Sequence, residues 1–141
     1  MKSAVEQRIE ELRQIVVYYI KYRHVLTRQI LIAQQSKKGD TVRGHTLLPP
    51  IKITTAKPIL WEINDYVLTL SHDEKEVIES RICAGKTFDV TAGLIDKSRS
   101  MCFEIQRKII DNALFYILIS PTDARDILLA QNIIDYTIHT I

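Results

Sequence analysis

Glycine and proline are scarce in this chain, at four each in 141 residues. That speaks against a turn-rich β-sandwich and in favour of helices. Cysteine is nearly absent: Cys83 and Cys102 are far apart and form no C-x-x-C pair. They read as reduced core thiols, with no disulfide framework and no zinc knuckle. No apolar run approaches the roughly 18 residues that a bilayer span needs, so no membrane partner is expected. The N-terminus turns acidic within six residues, unlike a secretory leader. A soluble, cytoplasmic protein is the expectation.

Catalytic signatures are also missing. His24, His45, His72 and His139 are scattered, with no cysteine or carboxylate at ligand spacing. There is no phosphate-binding glycine loop and no nucleophile elbow. Carboxylate pairs such as Glu74 with Glu79 read as solvated helix faces. No enzyme activity, cofactor or metal is expected.

What is present is helical periodicity and uneven charge. The net charge is only +2. Residues 1–57 hold 11 lysines and arginines against 4 acids, whereas residues 58–141 hold 8 against 13. A basic half suits phosphate binding. It suits a solvated face or an acidic partner surface equally well.

Residues 1–36 predict one long helix. Val5, Ile9, Leu12, Val16, Tyr19, Leu26 and Ile30 recur at alternating spacings of four and three, with Arg23 in the missing slot. Such a seam can pair two copies as a homodimer or pack on its own domain. Arg23 would be costly in a dry seam unless it snorkels. Residues 37–57 read as a basic linker or arm. Ser36-Lys37-Lys38-Gly39-Asp40 is turn-like, and Leu47-Leu48-Pro49-Pro50 cannot continue a helix. Ile51–Thr55 alternates as if extended.

Residues 58–119 carry the chemistry. A helix opens at Pro58, with Trp61 expected in the core. Ser71-His72-Asp73-Glu74 is a capping box for a second helix, which runs to about Ala84, with Gly85 suited to its C-terminal turn. Thr87 caps a third, Phe88 to Ile95, and Asp96-Lys97 makes the turn. Ser98 caps a fourth, running to about Ile119. Its inward stripe is Cys102, Ile105, Ile109 and Ala113, widened by Phe103, Ile110, Leu114 and Ile117. Residues 120–141 predict a last apolar helix, starting after Ser120-Pro121-Thr122-Asp123 and ending near Thr137, buried against the N-terminal helix or a second subunit. The fold class is therefore all-α: a helical bundle with a helix-turn-helix in its C-terminal half and a long N-terminal helix.

In a helix-turn-helix, the second helix enters the major groove of double-stranded DNA. Small polar residues at its N-terminus, here Ser98 and Ser100, permit close approach to bases and phosphates, and the helix end attracts phosphate. Arg99 can donate two hydrogen bonds to guanine. Arg107 and Lys108, two to three turns later, suit the backbone. Lys97, Met101 and Glu104 complete the outer face, and Ala92 allows the two helices to approach. The competing possibility is a bundle serving only protein contacts, since residues 71–114 hold seven cations against eight acids.

The string Thr87-Phe88-Asp89-Val90-Thr91-Ala92, then Lys97-Ser98-Arg99-Ser100-Met101-Cys102-Phe103, to Arg107-Lys108 resembles the sigma-factor region 4 type of helix-turn-helix. Residues 70–78 look like its lead-in helix. The whole layout is similar to the RinA/ArpU class of late-operon transcription regulators from phages of Gram-positive bacteria. The resemblance implies an activator in the bacterial cytoplasm. It would bind upstream of phage packaging and structural genes, with host RNA polymerase as a further partner. It also implies base approach by Ser98, Arg99, Ser100 and Met101, and backbone contacts by Arg107 and Lys108. The sequence departs from the pattern at Asp96-Lys97, where glycine and an apolar residue are usual, and at Thr91, a slot usually apolar. A phage small terminase subunit, which also joins a helix-turn-helix to an oligomerising helical core, is the alternative DNA-binding reading.

Overall fold

The computed structural model describes residues 2–36, 41–42, 51–119 and 123–130 of an all-α chain. The helices are α1 (Ala4–Ser36), α2 (Ile53–Leu68), α3 (His72–Val77), α4 (Phe88–Ile95), α5 (Arg99–Leu118) and α6 (Ala124–Ala130). A π-helical turn, Ile78–Cys83, continues α3 without a break. The strand content of the described residues is one minimal antiparallel pair, Thr41 opposite Lys52 and Val42 opposite Ile51.

The seam of α1 is used inside the chain. Leu12, Val16, Tyr19, Leu26 and Ile30 are buried, together with Ile15, Tyr18 and Ile20, against α2, α5 and the π turn. The stretch expected as a separate N-terminal helix is therefore a wall of the core. Only its first two seam positions, Val5 and Ile9, remain exposed. Arg23 does not snorkel: it is 6% exposed. Its guanidinium pairs with the Glu79 carboxylate and donates to the Ile20 carbonyl (3.3 Å) and the Cys83 sulfur (3.3 Å). A buried cation is tolerated only when paired and hydrogen-bonded in this way.

Three expectations are corrected. Helix α2 begins at Ile53, so Ile53–Lys57 belong to it and not to a linker ending at residue 57, and Pro58 lies in its second turn. So near a helix start, proline forfeits one backbone bond, to the Thr54 carbonyl. Burial of Ala56, Ile59, Leu60 and Ile63 at helical spacing offsets that loss. Trp61 falls outside this stripe and lies at the surface, with the Lys57 ammonium 5.7 Å from its ring. The third correction concerns α6, whose buried Ala124 and Leu128 pack on α2 and α5. Its link to α1 is a hydrogen bond from Arg8 to the Leu129 carbonyl. The expected arm residues Lys37, Lys38, Arg43 and Leu47–Pro50, and the C-terminal Ile133, Ile134 and Ile138, lie outside the described residues.

The caps fall where the sequence puts them. The Ser71 hydroxyl accepts from the Glu74 amide, and Glu74 accepts from the Ser71 amide. Gly85 takes a positive φ of 68° after the π turn, a conformation open to glycine at no steric cost. Asp96 does the same without that freedom, at φ 55° and ψ 48°. Replacing Asp96 by valine is expected to lower stability by about 1–2 kcal/mol, and replacing it by glycine to raise it slightly. Thermal midpoints in the order glycine, aspartate, valine would confirm that left-handed strain decides this position.

Candidate nucleic-acid interface

Three short devices start and end the two helices. The Thr87 hydroxyl accepts from the Val90 amide (3.2 Å) and starts α4. At its other end the amides of Asp96 and Lys97 return to the carbonyls of Gly93 (3.4 Å) and Ala92 (3.1 Å). This closes the last turn in the manner of a Schellman cap. The Ser98 hydroxyl then accepts from the Met101 amide (3.1 Å) and starts α5. A left-handed aspartate thus fills a capping position that glycine most often takes.

Beneath the turn the facing side chains are buried. Ala92 and Ile95 of α4 and Cys102 of α5 are buried. Thr91 is fully buried, and its hydroxyl lies 2.8 Å from that of Ser80 on the π turn. This explains how a hydroxyl is tolerated in the core: the polar atom is satisfied by a partner the linear sequence does not reveal. Farther along, the Tyr66 hydroxyl donates to the Ile109 carbonyl (3.1 Å) and fastens α5 to α2. Burial, with the Glu74 charge adding to it, pushes the Tyr66 pKa up to about 12.

All eight residues expected at the interface are exposed: Lys97, Ser98, Arg99, Ser100, Met101, Glu104, Arg107 and Lys108. They are not equivalent. Arg99, Ser100 and Glu104 share one open depression with Phe88 and Phe103. Arg107 lines a different one, toward α1, beside Glu10, Arg13 and Asp111. There the Arg13 guanidinium donates to Asp111 (2.6 Å), and that hydrogen bond raises the Arg13 pKa. Lys97 lies 3.7 Å from the Asp73 carboxylate, an ion pair that ties the turn back to α3. Arg99 has no ion pair among the described residues. No acid occupies the first turn of α5, so nothing there neutralises the helix end.

Phe103 leaves the inward stripe predicted for it. It is half-exposed and packs edge-on against Phe88, ring centres 5.7 Å apart. Arg81, which the sequence places only on an apolar spacing, stacks over the other partner, 4.2 Å from the Phe88 ring centre, and donates to the Lys86 carbonyl (3.2 Å). An arginine three residues after Ile78 and seven before Phe88 was the available signal, but neither spacing says that the ring will be there.

The π turn carries Glu79, a carboxylate held by two cationic side chains. Burial pushes the Glu79 carboxyl upward, but the Arg23 hydrogen bond and charge, helped by His24 at 3.7 Å, outweigh it and leave the pKa below its ordinary value. A depressed carboxyl adds stability above the ordinary carboxylate range, and that stability is lost as pH falls through the folded-state pKa. Glu79→Gln is therefore expected to flatten the acid limb of a urea-midpoint-versus-pH curve. Because Glu79 is half-exposed, the effect is small. The Cys83 thiol, also on this turn, has its pKa raised by burial, as does Cys102. Both cysteines are free, and no group of three potential metal ligands exists among the described residues. No described helix is long and apolar enough to cross a membrane.

A scan against known protein families finds no match for this chain, and comparisons with curated proteins and with solved structures find none either.

Proposed function

We propose that this chain is a sequence-specific, double-stranded-DNA-binding transcription regulator of the phage late-operon type, with α5 as the helix that reads the major groove. The observation that carries the reading is the exposed start of α5. Its cap, Ser98, leads directly into Arg99 and Ser100, with no acid in the first turn. A free helix start beside an unpaired guanidinium suits a phosphate and a base edge together. In this reading the protein performs no catalysis and needs no cofactor. It activates transcription from the bacterial cytoplasm through contact with host polymerase.

One observation favours the rival, a helical module that binds only protein. Val90 and Leu94, one turn apart on α4, are 49% and 52% exposed. Apolar side chains on this helix do nothing for a phosphate backbone. Selection from a randomised duplex library separates the readings. Enrichment of one sequence family supports the DNA reader, whereas repeated rounds without enrichment favour the protein module. Native mass adds the third arm, because a ring of many subunits would point to a small terminase.

A further inference from the structure

An open groove of about 570 Å³ lies on the surface between the C-terminal half of α1 and the end of α2. Its apolar walls are Leu31, Ile32, Val67 and Leu68. Three of these are large side chains left in water: Leu31 is 47% exposed, Ile32 50% and Leu68 75%. The polar floor is satisfied internally, since the Asn64 amide reaches the Thr27 hydroxyl at 3.5 Å. A concave, apolar surface with its polar groups already paired is built to receive apolar side chains.

The rim is basic. Arg28 lines the groove and no carboxylate does, while His24, also on the rim, lies 3.7 Å from the Glu79 carboxylate. Arg28 makes no ion pair among the described residues. The imbalance extends along the helix: between Glu11 and Asp40 the chain contains no acidic residue, while Arg13, Lys21, Arg23 and Arg28 fall within that stretch of α1. Of these, Arg13 and Arg23 are committed to Asp111 and Glu79.

We infer that this groove docks an acidic amphipathic helix of a partner protein. Leucine-like side chains one turn apart would enter between Leu31, Ile32 and Leu68. Carboxylates beside them would meet Arg28, which no described acid neutralises. A helix suits a trough between two helices, because its side-chain ridges seat in theirs. Charge complementarity selects acidic over basic partners. The inference is independent of the DNA reading, since it concerns α1 and α2 and none of the residues at the start of α5.

The test uses the full chain and a fluorescein-labelled peptide of about 18 residues, long enough to form a helix. The peptide carries leucine at i, i+3, i+4 and i+7 spacing with flanking glutamates. A second peptide has lysine in place of every glutamate. Anisotropy is expected to show the glutamate peptide binding at least about tenfold tighter than the lysine peptide. Leu68→Glu and Arg28→Glu are each expected to weaken the glutamate peptide about tenfold, and Arg28→Glu to strengthen the lysine peptide. Both substituted side chains are exposed, and circular dichroism verifies that each variant is folded. Equal binding of the two peptides, or no binding of the glutamate peptide, overturns the proposal. A wild-type dimer in sedimentation that Leu68→Glu converts to monomer makes a second copy the occupant, and the proposal falls. It falls equally if the glutamate peptide binds only after Leu47→Glu and Leu48→Glu, because the chain's own 43–50 stretch is then the occupant.

Discussion

Replacing Ile109 by alanine is expected to remove about 2–5 kcal/mol of folding stability. Ile109 lies midway along α5 with no exposed surface. Its carbonyl receives the Tyr66 hydroxyl from α2. Helices α1, α2 and α3 all pack on α5, so the methyl and methylene groups removed leave a hole that no single neighbour can fill by moving. The measurement is a urea titration in which the midpoint falls and the slope is unchanged. Val90→Ala on α4 is the control. Its side chain is half in water, and alanine is the better helix former, so a change within about 0.5 kcal/mol is expected. A loss below about 1 kcal/mol for Ile109→Ala would mean that α5 is not anchored in the core as described. A reading helix held loosely could not fix the register of its first turn.

The second large effect belongs to Arg99. If it pairs with a base edge, Arg99→Ala is expected to weaken binding to the selected DNA site by about 1–3 kcal/mol and to relax preference at one base pair. The structure ranks the other cations below it. Lys97 lies 3.7 Å from the Asp73 carboxylate, so it meets phosphate with an acid already paired to it, and Arg107 lies two turns from the helix start, where it suits backbone rather than a base. Lys108→Ala is expected to weaken all sequences alike and to reduce the salt slope by about one. A titration series of Arg99→Ala, Lys97→Ala, Arg107→Ala and Lys108→Ala on the selected duplex and on an unrelated one checks the order. Equal losses for all four would make the interface a nonspecific cationic face, with no reading residue at position 99.

The local signals in this sequence were strong where chemistry and position coincide. Ser71 with Glu74, Thr87, Ser98 and Gly85 are each short-range devices, and α4 and α5 begin and end within a residue of where the caps place them. Arg99, Met101, Glu104, Arg107 and Lys108 were legible for a related reason: helical spacing separates outer from inner faces. Long-range pairings were not legible. Nothing near Thr91 points to Ser80, and nothing near Arg23 points to Glu79, because the partner is set by how helices cross. Phe103 was misplaced because periodicity puts it beside the core stripe, while a ring offered by Phe88 at the rim holds it outside. The start of α2 was missed because proline and β-branched residues at 51–58 read as extended. Burial of Ala56 and Ile59 against the core overrode that local preference.

The central claim is tested most directly by fluorescence anisotropy on duplexes tiled from the protein's own genomic neighbourhood, at two salt concentrations. The wild type is measured beside an Arg99→Ala/Arg107→Ala variant. The account predicts tight binding to one tile, falling steeply as salt rises and lost in the variant. Absence of binding to every tile, or binding that the double substitution leaves unchanged, would contradict it.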